Sequence, residues 1–164
     1  GLVSHNCDPY RNVASIMINL MLQGRQPYIY GNGSQQRCFS FVSDVVRPLK
    51  QLGLDPACAG EIFNVGPDDA FISILELAAI LARLLHFDLH PIHVPGRPQE
   101  VHRANCSADK ARRLLGYRSE VALEDGLQQM IDSIRTQGPK PFDYHVPIEI
   151  VNDKTPETWS RRLF

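Results

Sequence analysis

The sequence contains no run of about 18 uninterrupted apolar residues, so no segment reads as a membrane-spanning helix. Its longest apolar stretch, Ile72 to Leu85, is broken by Ser73, Glu76 and Arg83 and has the pattern of an amphipathic helix. An excess of positive charge is missing too: 17 lysines and arginines face 18 aspartates and glutamates, for a net charge of −1. The basic footprint of a nucleic-acid-binding domain is therefore absent, and neither nucleic acid nor a membrane is an expected partner. Cysteines are few and scattered, at Cys7, Cys38, Cys58 and Cys106. Their spacing fits neither a zinc knuckle nor a CxxC redox pair, and it points to reduced thiols in a cytoplasmic protein. Gly1–Arg11 lacks the basic start and apolar stretch of a secretory signal. Glycine rather than methionine at position 1 gives the expectation of a start inside a longer protein.

What remains is 164 residues of ordinary globular composition, 43% hydrophobic, enough for one domain or a piece of a larger one. Val13, Ile16, Met17, Leu20 and Met21 recur at three- and four-residue intervals and predict a helix. Asp8 is its expected cap, Pro9 its first residue and Gly24 its stop. Gln26 to Tyr30 predicts a short strand, Gly31-Asn32-Gly33 a turn, and Cys38 to Val42 a second strand. Ser43 or Asp44 should cap the next helix, which Pro48 should kink or shorten. Glu61 to Val65 predicts a brief buried strand. Ser73 and Glu76 form a capping box ahead of a helix to His86, and Leu89 to Val94 another strand. Ser107 to Gly116 and Leu123 to Thr136 complete the helices before a proline-rich tail. Thr155 and Pro156 should open one last short helix. The pattern is α/β, with few short strands and five or six helices, divided into residues 1–138 and a tail 139–164.

The densest cluster of chemistry lies between Tyr28 and Asp44. A glycine turn lets backbone approach a ligand and delivers Gln36 and Arg37 to one edge. The planar fork of Arg37 suits a diphosphate, and neighbouring aromatics suit a base or ribose. The competing reading is a hairpin whose arginine pairs with a carboxylate such as Asp44. Gly31-x-Gly33 is not a dinucleotide fingerprint, because the third glycine and a following helix are missing. Arg97 lies on a loop stiffened by Pro95 and Pro98, where it can meet an anion while Glu100 accepts from ribose hydroxyls. The alternative there is a solvated Arg–Glu pair. His86, His90 and His93 fall on a helix end and on opposite strand faces, so they are not read as a metal site. Asp68-Asp69 reads as a turn, and no G-x-S-x-G nucleophile elbow exists.

The order of Asp8-Pro-Tyr-Arg-Asn-Val, Ile29-Tyr-Gly-Asn-Gly-Ser-Gln-Gln-Arg37 and Phe41-Val-Ser-Asp-Val-Val46 resembles the extended short-chain dehydrogenase/reductases. The resemblance narrows to their nucleotide-sugar epimerases and dehydratases, above all the UDP-glucose 4-epimerase-like members. It continues through Phe63-Asn-Val-Gly66, Arg97-Pro-Gln-Glu-Val101 and Asp109-Lys-Ala-Arg-Arg-Leu-Leu-Gly-Tyr117. It implies the C-terminal substrate-binding portion of a Rossmann-type enzyme. NAD would be held by the intact parent protein and by none of this chain's residues. The family's catalytic Tyr-x-x-x-Lys pair lies upstream. Here Tyr10, Tyr28, Tyr30, Tyr117 and Tyr144 are followed at that spacing by Ala14, Asn32, Ser34, Val121 and Ile148.

By the same resemblance, Arg37 and Arg97 match the two arginines that hold the nucleotide diphosphate, and Glu100 stands where an aspartate often meets the ribose. Phe39 replaces a common tyrosine facing the nucleotide, and Cys38 a common aspartate. Tyr28 and Tyr30 lie on the uracil-reading segment, and Asn12 matches a phosphate-contacting asparagine. The implied function is the UDP-sugar-binding portion of an NAD-dependent 4-epimerase, inactive alone and assembling as a homo-oligomer. The alternatives are a decarboxylase or 4,6-dehydratase portion, or a truncated non-catalytic UDP-sugar-binding or assembly module. Helices such as Ile74–His86 would then face a sheet not contained in this chain and leave apolar surface exposed.

Overall fold

Helix α1 (Val13–Leu22) begins later than the Asp8–Pro9 signal predicts. Asn12 takes the cap position with φ 58°, its Oδ1 accepting from the Ser15 N–H at 3.4 Å. Asp8 accepts instead from the Tyr10 N–H at 2.8 Å, an Asx turn that uses up the expected cap. These positions come from a computed structural model that describes residues 7–10, 12–97, 99–104 and 106–164. Pro98, predicted above to stiffen its loop, and Arg11 lie outside the described residues.

Beyond α1 the order is β1 (Tyr28–Tyr30), β2 (Gln36–Arg37), α2 (Val42–Leu54), β3 (Ile72–Ser73) and α3 (Ile74–Leu85). There follow β4 (Ile92–Val94), α4 (Asp109–Leu115), α5 (Leu123–Gln137) and α6 (Glu157–Ser160). The α/β class, the six α-helices among the described residues and the sparse strands agree with the sequence pattern. β1 runs parallel to β4, with Ile29 opposite His93, and β2 runs antiparallel to β3.

Helices α1, α3 and α5 pack around Met17, Ile18, Leu77, Leu81, Ile131 and Ile134, with Ile29 of β1 completing the cluster. α3 thus buries most of its apolar face against α1, α5 and Ile29 of β1, with Leu75 left exposed. More of the outward apolar surface lies on α2, at Val42, Val46, Leu49 and Leu54. The Ser73–Glu76 capping box forms in both directions, at 3.1 and 2.7 Å, and fixes the start of α3. His86 ends that helix in the left-handed conformation.

Two predicted strands do not form. β2 stops at Arg37 because its partner β3 is only two residues long and gives way to α3, so no ladder remains for Cys38 to Val42. Residues 61–65 lack a neighbouring strand among the described residues, and Ile62 is 84% exposed. Phe63 and Val65 pack instead on a small cluster of Ala108, Ala111 and Tyr117. α2 runs through Pro48 to Leu54, and neither Ser43 nor Asp44 caps it. The buried Asp44 carboxylate accepts from the N–H groups of Glu120 and Val121 and from Arg47, tying the loop before α5 to α2. Burial pushes this carboxyl upward, but those donors outweigh it and leave it below the usual carboxylate range.

The tail leaves α5 at Gly138 and is clamped at once to α1. The Asn19 side chain, fully buried, donates to the Lys140 C=O at 2.8 Å and accepts from its N–H at 3.1 Å. Its far end returns to the β1 region, where Arg25 donates to the Leu163 C=O at 3.2 Å. α6 follows Pro156 as predicted. No helix among the described residues is long and apolar enough to cross a membrane.

Candidate functional site

The glycine turn after β1 sets the site. Gly33 has φ +75°, and a Cβ there would lie 2.8 Å from Ile29 Cγ2 and 3.0 Å from Leu75 Cβ. The Leu75 N–H donates to the Gly33 C=O at 3.1 Å, so the turn is seated on the first turn of α3. Only glycine combines this backbone with so close an approach. The chain then turns into β2, where Gln35 is buried and Arg37 emerges beside the loop after β4.

Arg37 is held on three acceptors. Its Nη1 donates to the C=O groups of Gln36 and Val101 at 2.8 and 2.7 Å, and its Nη2 pairs with the Glu100 carboxylate. A carboxylate partner was one expectation, but Asp44 is engaged elsewhere and Glu100 takes that place. Both side chains are half-buried, at 27% and 22% exposure, so the pair is shielded without being sealed from solvent. Arg97 lies over Trp159, its guanidinium carbon 5.1 Å from the ring centroid.

These groups converge on one cavity of about 230 Å³. Asn12, Tyr28, Tyr30, Arg37, Arg97 and Glu100 all line it. Phe39 does not; its ring packs against the main apolar core. The cavity also takes Thr158, Trp159 and Phe164 from the tail, none of which the sequence marks as a site residue. The Tyr30 and Thr158 hydroxyls lie 2.6 Å apart, and the Tyr28 and Phe164 rings meet with centroids at 5.8 Å. The signal available in advance was compositional: Trp159 is the single tryptophan of the chain.

Chemically the cavity offers two guanidinium groups, one carboxylate, and tyrosine, tryptophan and phenylalanine rings. That set fits an anionic ligand with a planar or ring-shaped portion. A second hollow of about 270 Å³ lies on the Cys38 side of Arg37 and includes Cys106. Burial, with Asp69 and Asp68 nearby, pushes the Cys38 thiol up, away from a reactive thiolate. Asp68 serves the scaffold: Arg112 bonds both its oxygens at 2.9 and 2.8 Å, and the Ala108 N–H adds a third contact. Those donors hold its carboxyl at about 2. The three histidines stay apart in role, His90 bonding Asp88 and His93 the Gly31 C=O.

A family model described as GDP-mannose 4,6 dehydratase matches residues 8–130. The chain is 32% identical to the UDP-N-acetyl-alpha-D-glucosaminuronate decarboxylase of Bacillus cytotoxicus, over 77% of its own length and 41% of that protein. Among solved structures it superposes with TM-score 0.71 on the UDP-glucose 4-epimerase of Thermotoga maritima with UDP-glucose. Identity there is 29%, over 80% of this chain and 42% of that one. It superposes equally, at TM-score 0.71 and 26% identity, on the UDP-glucuronic acid 4-epimerase of Bacillus cereus in complex with UDP-glucuronic acid and NAD. That match covers 77% of this chain and 40% of the other. The chain thus spans about two fifths of the length of the proteins it matches.

Proposed function

This chain belongs to the GDP-mannose 4,6-dehydratase family of extended short-chain dehydrogenase/reductases, and from that premise we propose that it is the nucleotide-sugar-binding C-terminal portion of an NAD-dependent 4-epimerase. The observation that carries the proposal is the meeting of Arg37 and Arg97, far apart in sequence, at one cavity. Two guanidinium groups anchor a diphosphate, and the anchored diphosphate places base and sugar at either end. Glu100 exchanges Arg37 for ribose hydroxyls when the phosphates arrive. Tyr28 and Tyr30 flank the base, and a UDP-sugar is the ligand class proposed. At about 230 Å³ the cavity is below the ~300–1,000 Å³ of complete small-molecule pockets, so it holds part of such a ligand and the hexose extends beyond the mouth.

Gly31-x-Gly33 leads into β2 and lacks the third glycine and the directly following helix of a dinucleotide fingerprint, which supports placing NAD outside this chain. NAD, present in the Bacillus cereus complex, is assigned to the remainder of the parent protein. No Tyr-x-x-x-Lys pair is available, so the chain alone is assigned binding without epimerisation. The decarboxylase relative supports a second reading, in which the same binding portion serves decarboxylation of a UDP-sugar acid. The outward apolar stripe of α2 fits an assembled state, and four free thiols fit the cytoplasm.

Isothermal titration with UDP tests the assignment. Arg37→Ala and Arg97→Ala should each weaken binding by about tenfold to a hundredfold, the range for one charged hydrogen-bonding partner. Wild-type affinity in either variant removes that residue from the site, and failure of the unmodified chain to bind UDP refutes the proposal.

A further inference from the structure

The family match ends at residue 130, yet one wall of the cavity is built by the last ten residues. Four of the side-chain contacts that dock this segment reach residues lining the same cavity. The buried Thr158 hydroxyl meets Tyr30, Phe164 meets Tyr28, and Trp159 meets both Tyr10 and Arg97. Trp159 is itself fixed at the start of α6, its N–H donating to the Pro156 C=O at 3.0 Å and its ring edge-on to Tyr10 at 5.3 Å.

The two arginines are held in different ways. Arg37 uses its N–H groups on Gln36, Val101 and Glu100. Arg97 is held over the indole of Trp159. A cation–π contact occupies no oxygen acceptor, and among the described residues no hydrogen bond or ion pair takes the Arg97 donors. An arginine otherwise free to sample many rotamers is thus held with its donor fork open.

We infer that Trp159 is a positioning residue for the nucleotide site, its indole holding Arg97 in the orientation that receives the diphosphate. The inference rests on the nucleotide-sugar reading above and adds to it a residue outside the matched family region. Deleting the indole lets Arg97 swing free, and the freedom it regains is lost again on binding. Affinity falls although Trp159 need not touch the phosphates.

The test is UDP titration of the chain carrying Trp159→Ala, Trp159→Phe, Arg97→Ala, and Arg97→Ala with Trp159→Ala. Trp159→Ala should weaken UDP about three- to thirtyfold, the span of exposed to desolvated cation–π pairs. Trp159→Phe keeps an aromatic face and should recover most of the loss. In the Arg97→Ala background the tryptophan change should have little further effect, because its route to the ligand is gone. A merely structural role predicts equal losses in both backgrounds, and that result overturns the inference. So does tighter binding by Trp159→Ala, which would make the tail a plug. Normal UDP binding by both the unmodified chain and Trp159→Ala refutes this inference alone. No binding by the unmodified chain refutes the nucleotide reading with it.

Discussion

Replacing Gly33 by alanine perturbs the turn that aims Arg37. Two costs add at this position. A left-handed backbone at φ +75° costs a residue with a Cβ about 1–2 kcal/mol. The new methyl also lands 2.8 Å from Ile29 Cγ2 and 3.0 Å from Leu75 Cβ, inside contact distance of a fully buried isoleucine and the first turn of α3. Overpacking of that kind costs about 1–3 kcal/mol. Gly24 supplies the control, since its φ is +70° but a Cβ there meets nothing within 4 Å. Gly24→Ala therefore carries only the backbone cost, and the difference between the two variants isolates the clash. At this chain length about 1–3 kcal/mol lowers the Tm by roughly 2–12 °C. Thermal unfolding followed by far-ultraviolet circular dichroism, with urea midpoints as a second measure, reads that difference. Equal destabilisation by Gly33→Ala and Gly24→Ala would refute the argument that close approach, beyond torsion, demands glycine here.

Two further changes probe the scaffold. Asn19→Ala removes both of its hydrogen bonds to Lys140, whose C=O keeps the Gln23 Nε2 donor at 3.0 Å, at a cost of about 0.5–1.5 kcal/mol for each bond lost. Residues 139–164 should then exchange amide hydrogens faster than α3, and an unchanged pattern would show that the tail is held elsewhere. The Asp68 carboxyl, at about 2 against an ordinary 3.8, contributes stability that is complete above pH 4 and lost as pH falls through 2. The stability advantage of the unmodified chain over Asp68→Asn should accordingly shrink between those limits, and a gap constant with pH would exclude the ion pair as its source.

Local signals and long-range ones fared differently in this sequence. The start of α3 was readable because a capping box is settled within four residues, and both of its hydrogen bonds form. The start of α1 was not, because Asp8 and Asn12 compete for one role and the left-handed backbone at Asn12 decides it. Residues 61–65 have strand-like composition, but a strand needs a neighbour, and apolar contacts with Ala108 and Tyr117 claim Phe63 and Val65 instead. At the site, Arg37 and Arg97 were found through motif order, and the fold brings them to one cavity. Phe39 sits in the same motif but turns into the core, since alternation fails once β2 ends. Trp159 is not legible in the sequence, because no local pattern marks it. Its meaning arises only when the tail folds back across the β1–β4 edge to meet Arg97.

Phe164 gathers three aromatic neighbours at the cavity wall. Phe164 donates its N–H to the Tyr144 hydroxyl at 3.0 Å and lays its ring against Tyr28 and Phe142. One side chain thus joins β1 to two points of the tail, so Phe164→Ala should loosen both ring contacts while leaving the Tyr144 hydroxyl its N–H donor.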